Sequence, residues 1–232
     1  MWTQALAGIE KHLVTTTKYS HHLRFVAELP HGIGGALLPK MDHLVCFLPG
    51  SIALGATGGR SVLEARTDDW SPGREHQIQL ARELLKTCYG MSRVTKTKIA
   101  PEIVWFEAEK NALPPLPEDR QLPKSSDSPA SWKKDYIIKP LDAHNLQRPE
   151  TVESLFLMWR ITGDSIYRNW GWDIFEAMRK HSILDDGEGY SCLEDVDHVP
   201  SMRRDEMESF WLVRILWKLP TPSDPCRRLT SP

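Results

Sequence analysis

The sequence predicts a mainly α protein. Apolar residues recur at helical spacing in several long windows, helix start signals such as Ser71-Pro72 precede them, and the β-prone runs between them are short.

Trp2, Leu6, Ile9 and Leu13 open the chain as an amphipathic helix that decays into the polar run TTTKYSHH. Residues 23–29, LRFVAEL, alternate as a short strand does, and Gly32, Gly34 and Gly35 mark a tight loop after it. Residues 41–56 read as a helix buried on most sides, with Pro49 in its midst. In SPGREHQIQLARELLKTCYGMSR, Ser71 is the N-cap and Pro72 takes the first helical position, where its missing N–H leaves no bond unmade. Ile78, Ala81, Leu84, Leu85 and Cys88 form the apolar stripe of that helix. IVWF at 103–106 is a β-prone run. Residues 111–131 hold five prolines and several serines without periodicity, and are expected to form an exposed, mobile insertion. YIIK at 136–139 returns as a strand. Helices at 149–162 and 165–181, parted by a Gly-Asp turn, predict an antiparallel helical hairpin. A further helix is expected from about 205 to 219, and residues 220–232, PTPSDPCRRLTSP, form a frayed tail. Helices thus alternate with loops that carry short β-hairpins.

At 232 residues, with 41% hydrophobic and 26% charged side chains, the chain suits one globular domain with a sizeable core. A formal net charge of -2 supplies no basic field to draw in nucleic acid or an anionic membrane. Nine tryptophans are more than a chain of this size usually carries, and they read as core filler before sugar platforms. The longest apolar run, 44–56, falls short of the ~20 residues of a bilayer span and is broken by Pro49 and Gly50. No secretory signal stands at the start of the sequence, where a basic segment followed by an apolar one is missing. Cys46, Cys88, Cys192 and Cys226 show neither CxxC pairing nor a spacing with histidine that suits zinc, so each reads as a buried thiol. In an oxidising compartment Cys46 and Cys88, both inside apolar helical patterns, are the natural candidates for a bridge.

The stretch DAHNLQRPETVES carries the densest chemistry. Pro149 belongs in the first helical turn, so Glu150 and Glu153 lie near unpaired N–H groups and the positive end of the helix dipole, which favours both as anions. Their i,i+3 spacing sets them on one face, beside the apolar face of Val152, Leu155, Phe156 and Trp159. Acids at a helix start are common without any active site. Glu102 and Glu208, each taken alone, read as solvated surface acids, and His43 beside an apolar run reads as a satisfied core histidine. The acidic loop 185–195 does not follow the ligand order of a twelve-residue calcium loop.

Together, MDHLVCFLPG, ARELLKTCYGM, APEIVWF, HNLQRPETVESLF, ITGDSIYRNWGWDIFEA and DEMESFWL resemble class I α-1,2-mannosidases, glycoside hydrolase family 47, in order and approximate spacing along nearly the whole chain. The resemblance implies an (α/α)7 barrel, calcium at its floor, and inverting removal of terminal α-1,2-linked mannose from oligomannose N-glycans, in which a carboxylate activates water while an acid assists the leaving oxygen. It also implies a secretory address, in the endoplasmic reticulum, the Golgi or outside the cell. Glu150 matches a glutamate assigned to base or water-positioning work, and Glu102 matches another active-site acid. Arg148, His43, Glu153 and Glu208 match residues of the sugar pocket, and Cys46 and Cys88 fall at the family's disulfide. The segments bearing the family's proton donor, its Asp-Ser-Tyr-Tyr-Glu sequence and its calcium-binding Thr-Glu-Ala-His threonine have no counterpart here. Residues 1–219 are therefore expected to form a truncated catalytic domain, a partial (α/α)7 barrel with two open apolar flanks and impaired catalysis. The alternative is a non-catalytic remnant that binds oligomannose glycan or a protein partner.

Overall fold

The chain opens with helix α1, Trp2–His12, as its apolar spacing predicts, with Leu6 buried. In the computed structural model, residues 1–18, 22–68, 70–108 and 131–211 are described. Strands β1, Val14–Thr16, and β2, Arg24–Val26, pair antiparallel, with Thr15 opposite Phe25. The strand expected over 23–29 is thus shorter, and Glu28 makes only an isolated bridge to Leu38. Gly32 and Gly34 carry the loop that follows with φ of +74° and +95°, a conformation that side chains resist.

The helix expected over 41–56 is three elements. Met41 lies in strand β3, Lys40–Asp42, a 3-10 turn spans His43–Phe47, and helix α2 runs Leu48–Thr57. Pro49 is the reason: inside a continuous helix it would lack an N–H and clash with the preceding turn, whereas at the start of α2 it is tolerated. The short helix α3, Val62–Ala65, begins with a capping box between Ser61 and Glu64. Helix α4, Pro72–Arg93, starts as predicted, the Ser71 hydroxyl accepting from the Arg74 N–H at 3.3 Å. Its stripe of Ile78, Ala81, Leu84, Leu85 and Cys88 is buried.

Strand β4, Ile103–Trp105, pairs antiparallel with β3, with Asp42 opposite Ile103. The strand expected at 136–139 reduces to one bridge between Ile137 and Trp105, because 3-10 turns at Ser131–Asp135 and Pro140–Asp142 leave little extended chain between them. Helices α5, Glu150–Thr162, and α6, Ser165–His181, form the expected hairpin. Gly163 turns the chain with φ +70°, and Asp164 caps α6 by accepting from the Ile166 N–H at 3.1 Å. Pro149 is the N-cap of α5, so the helix begins at Glu150, one residue later than expected. Residues 205–208 are irregular where a helix was expected, and helical backbone begins at 209. The rest of that helix, the insertion over 111–130 and the tail lie outside the described residues.

Helices α2, α4 and α5 pack on one another, and α6 packs on α5. A disulfide joins Cys46 to Cys88, Cα–Cα 5.8 Å, and fastens the 3-10 turn to α4. Cys192 is a free, buried thiol. The Ser154 hydroxyl donates to the Cys46 carbonyl at 2.5 Å and accepts from the Gly50 N–H at 3.0 Å, so α5 grips the disulfide turn and α2 at once. Gly50 allows that approach, since a Cβ there would lie 2.7 Å from Leu157 Cδ1 and 3.1 Å from Ser154 Cα. No helix among the described residues is long and apolar enough to cross a membrane.

Candidate active site

The β3–β4 register sets the first two site residues. Its last pair is Asp42 and Ile103, and the next step brings His43 beside Glu102, where the His43 N–H donates to the Glu102 carbonyl at 2.8 Å. The Glu102 N–H in turn donates to the His144 carbonyl at 2.9 Å, which draws in the segment leading to α5.

That segment bends around the Glu102 carboxylate. The Leu146 N–H donates to Glu102 Oε1 at 2.8 Å, and Arg148 Nε donates to Oε2. Both donors reach one carboxylate because Gln147 between them adopts φ +57°, a left-handed conformation unusual for a residue with a side chain. Gln147 is fully buried, its N–H donates to Asn145 Oδ1 at 2.9 Å, and its Oε1 accepts from the Glu208 N–H at 3.3 Å. Asn145 is fixed by donating to the Ala100 carbonyl at 2.9 Å.

Glu150 opens α5, and its Oε2 lies 3.2 Å from His43 Nδ1. A carboxylate only accepts, so His43 Nδ1 donates to Glu150, and on the other side of the ring Nε2 lies 3.0 Å from the Thr151 hydroxyl. Burial opposes the Glu150 anion, but the hydrogen bond and charge of His43 outweigh it, with smaller help from backbone and Arg148, and hold its pKa below the usual value. Burial also opposes the Arg148 charge, yet its bond to Glu102 and the fields of Glu102, Glu150 and Glu208 raise its pKa. The corner is therefore an alternating set of charges, with Glu150 and Arg148 the members open to solvent, at 14% and 25% side-chain exposure. Behind His43, Arg148 and Thr151 lies a cavity of only about 10 Å³, space for one water and not for a sugar, so a ligand must meet the corner from its open side.

Five of the six expected site residues thus gather here. Glu102 is buried and clamped, unlike the solvated acid that its sequence context predicts, and His43 is the satisfied core histidine while also touching Glu150. Glu208 reaches the group through its backbone and its field on Arg148. Glu153 is buried one turn further along α5. Sequence reading missed Gln147, Thr151 and Asn145. Thr151 is foreshadowed only by following Glu150, and nothing in the sequence marks a left-handed glutamine where glycine is the usual residue. Among the described residues, no group of three His, Cys, Asp or Glu side chains is placed to hold a metal ion.

Residues 1–216 match the model of a family described as glycosyl hydrolase family 47. The chain is 44% identical over 213 residues to a mannosyl-oligosaccharide 1,2-alpha-mannosidase of Arabidopsis thaliana, covering 91% of this chain and 33% of the relative. It is 42% identical over 211 residues to the endoplasmic reticulum mannosyl-oligosaccharide 1,2-alpha-mannosidase of Schizosaccharomyces pombe, covering 90% of this chain and 36% of the relative. The chain spans about a third of the length of these relatives. In three dimensions it is similar to an alpha-1,2-mannosidase from Trichoderma reesei, with a TM-score of 0.69, 23% identity, and coverage of 92% of this chain and 39% of the other. That likeness gives the fold as part of an (α/α)7 barrel.

Proposed function

The chain belongs to glycosyl hydrolase family 47, and from that premise we propose that it carries one wall of the reaction site of an inverting α-1,2-mannosidase that trims terminal mannose from oligomannose N-glycans. The observation that carries the reading is the Glu150–His43 contact at 3.2 Å at the start of α5, on the open edge of the corner. An inverting glycosidase needs one carboxylate to accept a proton from water and one acid to protonate the leaving oxygen. Glu150 suits the role of proton acceptor, because it is held as an anion, His43 fixes one oxygen, and the helix start favours its charge. Glu102 suits positioning, because its two oxygens are taken by Leu146 and Arg148, and it thereby aims Arg148 at whatever meets the corner. In this reading Arg148 and Glu208 belong to the surround of the sugar, with His43 and Glu153, both buried, behind them. The proton donor lies outside this set.

Calcium is the cofactor that the family resemblance implies, and no step here depends on it. The Cys46–Cys88 bridge supports an oxidising secretory compartment, and relatives named as endoplasmic reticulum enzymes point the same way.

The test is release of mannose from an oligomannose N-glycan by the purified chain, with and without a calcium chelator, beside Glu150→Gln. Release that disappears in the variant supports the reading. Absence of release, or release indifferent to Glu150→Gln, overturns it for this chain, and glycan binding without release would favour the non-catalytic alternative.

A further inference from the structure

We propose that the cleft between the loop after α4 and the last turns of α6 binds a phosphate oxyanion, carried on a sugar or free in solution. This surface is separate from the Glu150 corner, and the proposal does not rest on the hydrolase reading.

The cleft has a volume of about 470 Å³, in the range of small-ligand sites, with Lys96, Thr97 and Lys98 on one wall and the end of α6 on the other. Lys96, Lys98, Arg179 and Lys180 line it against two carboxylates, Asp173 and Glu176. Both carboxylates are already engaged. Glu176 accepts from Arg179 at 3.0 Å, and Asp173 accepts from the Tyr89 hydroxyl at 2.5 Å with Arg93 at 3.8 Å. Lys96 stands 3.9 Å from Asp197. Among the described residues, no carboxylate pairs with Lys98 or Lys180.

Basic residues at helix ends can simply answer the helix dipole, which amounts to about half a negative charge at a C-terminus. Arg93 serves α4 in that way, and Arg179 with Lys180 more than serves α6. Lys96 and Lys98 lie beyond the last turn of α4, so the dipoles do not account for them. Lys98 also holds φ +64°, a left-handed conformation that costs a residue with a side chain about 1 kcal/mol or more. Its neighbours enforce it. The Thr97 hydroxyl donates to the Val196 carbonyl at 2.7 Å and the Thr95 hydroxyl to the Ile99 carbonyl at 2.9 Å. Lys98 is thus presented from a fixed loop, half-buried, and burial first, then Lys133 and Arg93, push its pKa down. A bound anion would relieve that repulsion, and a tetrahedral oxyanion offers acceptors to both walls. Ile174 and Met178 of α6 face the small cavity behind His43, while Asp173, Glu176 and Lys180 face this cleft, so the end of α6 divides the two.

The experiment titrates the full chain at low ionic strength with inorganic phosphate, mannose 6-phosphate and mannose, following backbone amide shifts at residues 96–98 and 177–181. Both phosphates are expected to give saturable shifts there and mannose none. Tighter binding of mannose 6-phosphate assigns the site to a sugar-borne group, and equal binding assigns it to free phosphate. Lys98→Gln should weaken binding about tenfold or more. Lys98→Gly removes the same ammonium while relieving the left-handed backbone, so it should bind as weakly and melt no lower than the parent. Shifts that do not saturate with either phosphate, or affinity unchanged in both variants, overturn the proposal.

Discussion

His43 and Glu102 stand side by side one step past the end of the β3–β4 pair, joined by the His43 N–H to Glu102 carbonyl bond at 2.8 Å. Backbone pairing therefore sets the lateral position of two side chains that belong to distant parts of the sequence. Arg148 and Glu150 then arrive from the start of α5 and bind one to each, Arg148 to Glu102 and Glu150 to His43. The corner is held by two strands and one helix, with no side chain standing alone.

Glu150→Gln is expected to lower mannose release by about 10²- to 10⁴-fold while the fold persists, because the amide oxygen can still accept from His43 Nδ1 but cannot take a proton from water. Rates measured beside urea unfolding curves check this. A variant that loses rate only in proportion to lost folded protein would contradict the role.

Acid stability should depend on the same residue. The folded-state pKa of Glu150 is depressed from the ordinary 4.5, so its contribution is present above that value and is lost as pH falls through the folded one. The parent chain should therefore lose stability more steeply than Glu150→Gln below about pH 4.5, read as the difference between urea midpoints at each pH. Identical acid slopes would show that His43 does not favour the anion.

Reducing the Cys46–Cys88 bridge should destabilise the chain by about 4 kcal/mol, the loop-closure entropy for a sequence separation of 42. Unfolding with and without reductant, beside a Cys46→Ala/Cys88→Ala double variant, measures it. A reductant effect that persists in the double variant would point away from this bond, since Cys192 is the other cysteine among the described residues and is free.

Gly50→Ala should cost about 1–3 kcal/mol, since the added methyl meets Leu157 and the Ser154 backbone and pushes α2 from α5. Gly163→Ala at the α5–α6 turn should cost about 1–2 kcal/mol for a different reason, its φ of +70° with open space around it. Thermal unfolding of the two variants separates crowding from backbone strain. A Leu157→Ala background should rescue only the first.

The helical hairpin is legible in the sequence because its punctuation is local: Gly163 can turn left-handed, and Asp164 can cap the next helix. Ser71-Pro72 works likewise for α4. Residues 41–56 mislead because an apolar run says buried without saying helical, and Pro49 marks the start of a helix rather than an interruption inside one. At the site, Glu150 is legible from its place before an apolar stripe. The clamp on Glu102 is not, because it depends on a strand register formed across the fold and on Gln147, whose backbone conformation its side chain does not announce. The Cys46–Cys88 pairing is suggested by the apolar helical context of both residues, given an oxidising compartment, and is reinforced by the family resemblance.

One hydroxyl, that of Ser154, satisfies an amide of α2 and a carbonyl of the disulfide turn from within α5. Substitutions at Gly50, Cys46 and Ser154 will for that reason be epistatic, because the methyl added at Gly50, the disulfide lost at Cys46 and the hydroxyl lost at Ser154 all disturb the one place where α2, α5 and the disulfide turn meet. A survey scoring these three positions one at a time would count a single junction three times over.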